Sequence, residues 1–559
     1  MTIHNQPWLF GDEYLYLNKA RNLKFGIDVI TDATQGHKYP PLYSYLISLA
    51  ISDDPITSYR RVQLLNVFSS QILLLISFFL LNKVYGFSKR KFGKLFIILA
   101  FLATALLSNI TGYTLVAMSE NLFLPLTLLV FSLLSYIIKF NKNTDFKWLV
   151  LLGIFTAASI LTRTIAIVLV PAIIVALISA NQKNPQSKKQ IKLRIIKAIK
   201  TILIFCALSL LPVFLFVFIE KQLVQNSLQA AVTKDYSSFM PSYSKNFVNL
   251  ITLKSNYFVT IKILGNHLIY IVFSSFFFPT YFFINEFINT LKTKKLSFTW
   301  IFILIYSFLT IGVSFLHSYG GFQNNPIRYS TYFRYLDSVV VIFFVYGLIR
   351  LWQYINHKIQ VNKLATYLFI ALSTALLILL PQRDFYLTIN SLGWGWLDLL
   401  LPISILIRIV LLLMFFLAVY LISKKSVILI LPAIILINTF TFPVSIKIHN
   451  WLADDSQGQL QQPVISFAKN HQNQEYYFNS ELQKIGETGS VYYIKYLLMF
   501  YTNEVVPIKP IETEAFDALV TDKQNTVILL DSTNASSNII DTADSITPLN
   551  DHLMFAVFE

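Results

Sequence analysis

The sequence predicts a polytopic α-helical membrane protein carrying a small α/β domain at its C-terminal end. Three observations predict it. Of 559 residues, 55% are hydrophobic, 15% are aromatic and only 13% are charged, with a mean hydropathy of +0.58; a water-soluble domain carries about twice that share of charge. Apolar runs of membrane-crossing length recur through residues 64–442. Lysine and arginine are also distributed very unevenly between alternate loops.

The expected spans are 64–82, 95–108, 119–138, 148–161, 164–180, 201–219, 263–288, 298–316, 337–353, 364–380, 401–421 and 427–442. The runs at 95–108 and 148–161 are short for a full crossing and suggest tilted helices or tight pairing. One set of loops (83–94, 139–147, 181–200, 289–297, 350–363 and 422–426) holds 23 Lys and Arg in 69 residues and a single acid, Asp145. The alternate set (109–118, 162–163, 220–262, 317–336 and 381–400) holds 9 in 95 residues. The positive-inside rule makes the first set cytoplasmic, so residues 1–63 and the tail from Pro443 are expected outside a cytoplasmic membrane. The same reasoning explains the net charge of +16 without a nucleic-acid partner. Cys206 is the lone cysteine and lies in an apolar run, which leaves no disulfide framework and no thiolate metal site.

Three regions follow: a first external loop (1–63), a transmembrane helical domain (64–442) and an extracytoplasmic α/β domain (443–559). The last region has 15 acids against 6 lysines. Helical patterns at 457–472, 491–501 and 511–522 alternate there with extended ones at 475–478, 504–508, 526–530 and 554–558.

The chain is organised around its first loop. Asp12 and Glu13 open a helix-compatible run, and Pro40 and Pro41 break the backbone and start another helix. Adjacent helical residues point about 100° apart, so Asp12 shares a face with Tyr16 and Ala20 while Glu13 shares one with Leu17. The D-E-Y-L-Y-L-N-K-A-R-N-L run and the following Y-P-P-L-Y-S resemble the first external loop of GT-C glycosyltransferases of the protein mannosyltransferase-like and aminoarabinose transferase-like group. S-E-N-L-F-L-P-L at 119–126, L-T-R at 161–163 and F-R-Y-L-D at 333–337 extend the resemblance.

That resemblance implies a sugar moved from a polyprenyl-phosphate donor to a hydroxyl of a lipid, glycan or protein acceptor, on the external face and with inversion. It implies Asp12 as the acidic residue facing the site, and one further helix ahead of Gln6. It also draws attention to Tyr39, which stands where some members have lysine, with Lys38 one residue earlier. The chemistry asks for a base to take the acceptor proton and for positive charge beside the departing phosphate. Asp12 is the candidate base, with Glu13 supporting it or binding a divalent ion such as Mg²⁺ or Mn²⁺; the structural alternative is a helix cap. His37, Lys38 and Tyr39 lie where a phosphate could arrive, and so do Arg328, Arg334 and Tyr335, at a depth where an arginine is costly without an anion. Glu120 and Arg163 both lie at external span ends, as site residues or as a structural bridge to each other. Asp337, Asp398 and Arg408 read as helix-packing polar groups, and Glu286 as remote from the site. A secondary transporter or a membrane scaffold would share the span count, but a transporter would place its charges at mid-span.

Overall fold

The computed structural model describes residues 11–25, 40–90, 92–142, 145–180, 188–227, 257–293, 297–322, 333–357, 359, 362–379 and 429–440, with shorter stretches of the tail between 463 and 558. Helix α1 (Gly11–Phe25) and the short α2 (Leu42–Ser48) precede α3 (Pro55–Tyr85). Asp54 caps α3 by accepting from the Thr57 amide at 2.8 Å, and Pro55 occupies its first turn. Gly86 ends it at φ +67°, a left-handed position that suits glycine. At 31 residues and about 1.5 Å per residue, α3 is longer than a bilayer's hydrocarbon core. Its first turns therefore stand clear of the apolar span 64–82, beside α1.

Next come α4 (Gly93–Ala105) and α5 (Ser108–Thr114), a pair bent by 58°. They are followed by α6 (Glu120–Lys139), α7 (Phe146–Thr162), α8 (Leu169–Ala180), α9 (Lys188–Ser227), α10 (Tyr257–Ser274), α11 (Phe278–Thr293), α12 (Phe298–Phe322), α13 (Asp337–Ile355), α14 (Lys363–Leu379) and a last apolar helix at Ile430–Phe440. Among the described residues, five helices are long and apolar enough to cross a membrane, or up to seven if each bent pair is one span; four shorter apolar helices accompany them. The expected span 401–421 lies outside the described residues, and so do Asp398 and Arg408.

Helices α6 and α13 form the centre of the bundle, buried along nearly all their length, whereas α9 turns most of its apolar surface outward. Inside α6 the Thr127 and Ser132 hydroxyls donate to carbonyls four residues back, at 2.7 and 2.8 Å. Polar side chains in an apolar interior need such partners.

The expected single span 263–288 is instead two helices, α10 and α11, turned by 108°. Phe276 and Phe277 both adopt φ +62°, a conformation that ends an α-helix. Two consecutive phenylalanines give no turn signal, so the break was not readable as local chemistry. Its support is tertiary. Phe278 and Pro279 pack against Gly347 of α13, where an added Cβ would lie 2.6 Å from Pro279 and 2.7 Å from Phe278.

The tail contains a five-stranded sheet in the order β2-β1-β3-β5-β4, built from β1 (Glu475–Asn479), β2 (Lys509–Ile511), β3 (Thr526–Asp531), β4 (Ser545–Pro548) and β5 (Leu553–Phe558). The first three neighbours pair in parallel, while β5 lies antiparallel to β3 and β4. Expected strands at 475–478, 526–530 and 554–558 coincide with β1, β3 and β5; β2 begins one residue beyond the stretch 504–508. Side chains alternate between the faces. Ile528, Leu530, Met554, Ala556 and Phe558 form one cluster. Val527, Leu529, Phe555 and Val557 instead enter a core that also contains Tyr14, Tyr16 and Leu17 of α1 and Tyr43 and Ile47 of α2. The first loop's helices and the tail sheet therefore share one core and lie on the same side of the bundle.

Candidate active site

Four charged side chains meet where α1, α6, α7 and the residues leading into α13 come together. Asp12 and Glu13 occupy the first turn of α1, where the helix dipole favours negative charge. Their different faces give them different surroundings. Glu13 is fully buried and its Oε1 accepts from the Tyr59 hydroxyl at 2.6 Å and the Ala117 amide at 2.7 Å. It fastens α1 to α3 and to the segment entering α6. Asp12 points the other way, and its Oδ2 accepts from Arg334 at 2.5 Å.

Arg334 sits in a single 3-10 turn (Arg334–Leu336) just ahead of α13. Through Nε and a terminal nitrogen it grips both oxygens of Glu120, the first residue of α6. Arg163, which caps the C-terminal end of α7, pairs with the same Glu120 and lies over the Tyr335 ring at 5.0 Å. Among the described residues the cluster holds two carboxylates and two guanidiniums, whose charges balance. Glu120 and Arg334 are closed to solvent, whereas the Asp12 side chain is 29% exposed. Asp12 is thus the cluster's opening.

Tyr16, one turn along from Asp12, donates to Ser119 Oγ at 2.9 Å, and Ser119 in turn donates to Glu120 at 3.3 Å. Burial raises the Tyr16 pKa, so this phenol stays a donor. Beneath the cluster, the buried Asp337 accepts from Tyr270 at 2.5 Å, Tyr113 at 2.8 Å and Asn109 at 3.4 Å. These bonds fix the first residue of α13, three residues after Arg334.

Of the residues singled out in the sequence, Asp12, Glu120, Arg163, Arg334 and Tyr335 converge. Glu13 adjoins them but faces away. His37, Lys38, Tyr39 and Arg328 lie outside the described residues. The sequence put Tyr16 on the face of Asp12 and Ser119 at the head of the S-E-N-L-F-L-P-L segment, whereas Tyr113 and Tyr270 carry no sequence signal of their own; the Arg334–Asp337 spacing at a span end was the available clue to the support beneath Arg334. Glu286 pairs with Arg350 and accepts from Tyr346 at 2.5 Å, at the opposite end of the bundle. No three His, Cys, Asp or Glu side chains gather to hold a metal among the described residues. Asp12 and Glu120 are both engaged by Arg334, and Glu120 also by Arg163.

Residues 38–224 match the dolichyl-phosphate-mannose-protein mannosyltransferase family. Across 100% of this chain and 95% of the other, the fold is similar to that of ArnT from Cupriavidus metallidurans, solved with undecaprenyl phosphate bound, with a TM-score of 0.50 at 11% identity. The chain has a GT-C glycosyltransferase fold. No curated protein gives a significant sequence match. The family match spans α2 to α9 and so contains Glu120 and Arg163, while Asp12 and Arg334 come to them from outside the matched segment. In this chain the charge cluster joins the ends of the matched segment's helices to the first helix and to the start of α13.

Proposed function

We propose that this chain is a membrane glycosyltransferase. It takes a sugar from a polyprenyl-phosphate donor and transfers it to an acceptor hydroxyl on the external side of a cytoplasmic membrane. The observation that carries the reading is Arg334 bridging Asp12 and Glu120, which sets a cation for the phosphate beside a carboxylate for the proton.

The donor phosphate competes with Asp12 for Arg334, while Glu120 retains its hold on the guanidinium from the buried side. Drawing Arg334 toward the phosphate loosens Asp12, and a carboxylate less occupied by a guanidinium is a better proton acceptor. The acceptor oxygen then attacks the anomeric carbon and its proton passes to Asp12. The bond from that carbon to the phosphate oxygen breaks, and its electron pair leaves with the polyprenyl phosphate. One displacement inverts the anomeric centre. Arg334 stabilises the charge growing on the leaving oxygen. Glu120, Arg163 and Asp337 position Arg334, and Glu13 positions α1.

The test is single-turnover transfer from radiolabelled polyprenyl-phosphate sugars, with donor binding measured separately. Asp12→Asn keeps the size and an acceptor oxygen but cannot take the proton. Transfer should fall by about 10²- to 10⁴-fold, the usual contribution of general-base catalysis, with donor binding retained and with a smaller loss of stability than at buried Glu120, because Asp12 keeps a path to solvent. Transfer at the wild-type rate by this variant would remove Asp12 from the mechanism.

A further inference from the structure

At the end of the bundle away from Asp12, a cavity of about 330 Å³ opens between the ends of α3, α6 and α13 and the start of α12. The size is at the low end for small-molecule sites. Its walls include Lys139, Arg350, Ser297 and Thr299, with Phe298 and Ile349 on the apolar part. Among the described residues no carboxylate lines it. Arg350 does pair with Glu286, but Glu286 lines a separate cavity of about 160 Å³, and Arg350 lines both. Arg350 therefore forms a wall between two chambers, one holding its counter-ion and one holding further positive charge. Its Nε is buried and has no hydrogen-bond partner among the described residues. One terminal nitrogen donates to Gln353 at 2.9 Å and the other to Ser297 at 3.3 Å, so the group is held in place. Lys139 is exposed at the cavity and carries no ion pair among the described residues.

We infer that this cavity binds a phosphate group, with an anionic phospholipid headgroup as its natural source. The site lies where three spans end and a fourth begins, which is the depth of a headgroup layer. The lysine-rich loops 83–94, 139–147 and 350–363 adjoin it, and basic pockets between helices on such a face attract anionic lipids. The volume accommodates a headgroup, leaving acyl chains in the bilayer past Phe298 and Ile349. Lys139 and Arg350 supply the charge, and the Ser297 and Thr299 hydroxyls supply donors for phosphate oxygens. The inference does not depend on the glycosyltransferase reading, because none of these residues belongs to the Asp12 cluster.

The test uses the purified full chain in mixed micelles with phosphatidic acid or phosphatidylcholine, each carrying a photoreactive group beside the phosphate. Retained lipid is counted by native mass spectrometry and cross-links are mapped to peptides. Phosphatidic acid should label the segments around Lys139 and Gln353. A basic residue near a membrane surface is worth about five-fold in such binding, so Lys139→Gln should weaken retention about five-fold and Lys139→Glu about 25-fold. Lys139 is exposed, so neither variant disturbs the core; the double variant Arg350→Gln with Glu286→Gln, which keeps the charge balance, should also lose the cross-link. Competition by inorganic phosphate alone would support the phosphate site with a soluble source. Equal labelling by phosphatidylcholine, labelling confined to other segments, or wild-type retention by Lys139→Glu would each overturn the inference.

Discussion

Neutralising Glu120 and Arg163 singly and together tests whether the charge cluster works as a balanced unit. In the wild type, two guanidiniums face two carboxylates, and Glu120, fully buried, is shared between Arg163 and Arg334. Glu120→Gln leaves two arginines with Asp12 alone. Arg334 keeps its 2.5 Å contact with Asp12, so Arg163 becomes the uncompensated charge. Arg163→Gln leaves two carboxylates sharing Arg334. Removing one partner of a buried ion pair costs about 3–5 kcal/mol, and the solvent path at Asp12 argues for the lower figure in both variants. If the two sites were independent, the double variant would lose about 6 kcal/mol. It is charge-balanced, however, with the Asp12–Arg334 pair intact. We expect a loss of about 3–4 kcal/mol and a coupling of about 2–3 kcal/mol, within the range found for residues in direct contact. The assay is equilibrium unfolding of all four proteins in mixed micelles with increasing denaturing detergent. Losses that add to within about 0.5 kcal/mol, as they do for independent sites, would refute the shared-charge account. In the same preparations Glu120→Gln should weaken donor binding, since Arg334 loses one of the two acceptors that aim it and the charge behind both.

Other expectations follow from single contacts. Gly347→Ala should destabilise by about 1–3 kcal/mol, the usual cost of overpacking, because its Cβ would meet Pro279 at 2.6 Å; Gly265→Ala, with nothing within 4 Å, should be neutral or slightly stabilising. Thermal unfolding of both variants checks the contrast. Tyr59→Phe removes a donor to the buried Glu13 carboxylate, and should cost about 1–3 kcal/mol, with proteolysis of α1 as a second readout. In a Cys206→Ser background, Asp541→Cys at the exposed start of the β4 segment should react with membrane-impermeant reagent from outside intact cells. Labelling only after permeabilisation would reverse the proposed orientation.

The membrane class, the approximate extent of most spans, the strands at 475–478, 526–530 and 554–558, and the separation of Asp12 from Glu13 were legible in the order of residues. These depend on short-range regularities: apolar runs, alternation of period two and the 100° step between helical neighbours. The elbow at Phe276 and Phe277 depends instead on long-range packing, because what allows it is the missing side chain at Gly347, some 70 residues away. The division of labour between the two acids of α1 was settled in the same way. The sequence placed them on different faces, but the donors that claim Glu13 come from Tyr59 and Ala117, and the cation that meets Asp12 comes from Arg334. The sequence offered Glu120 and Arg163 as a pair; packing α7 and α13 against α6 added Arg334 to it, since a buried carboxylate with two oxygens can accept from two guanidiniums and a low-dielectric interior rewards that sharing.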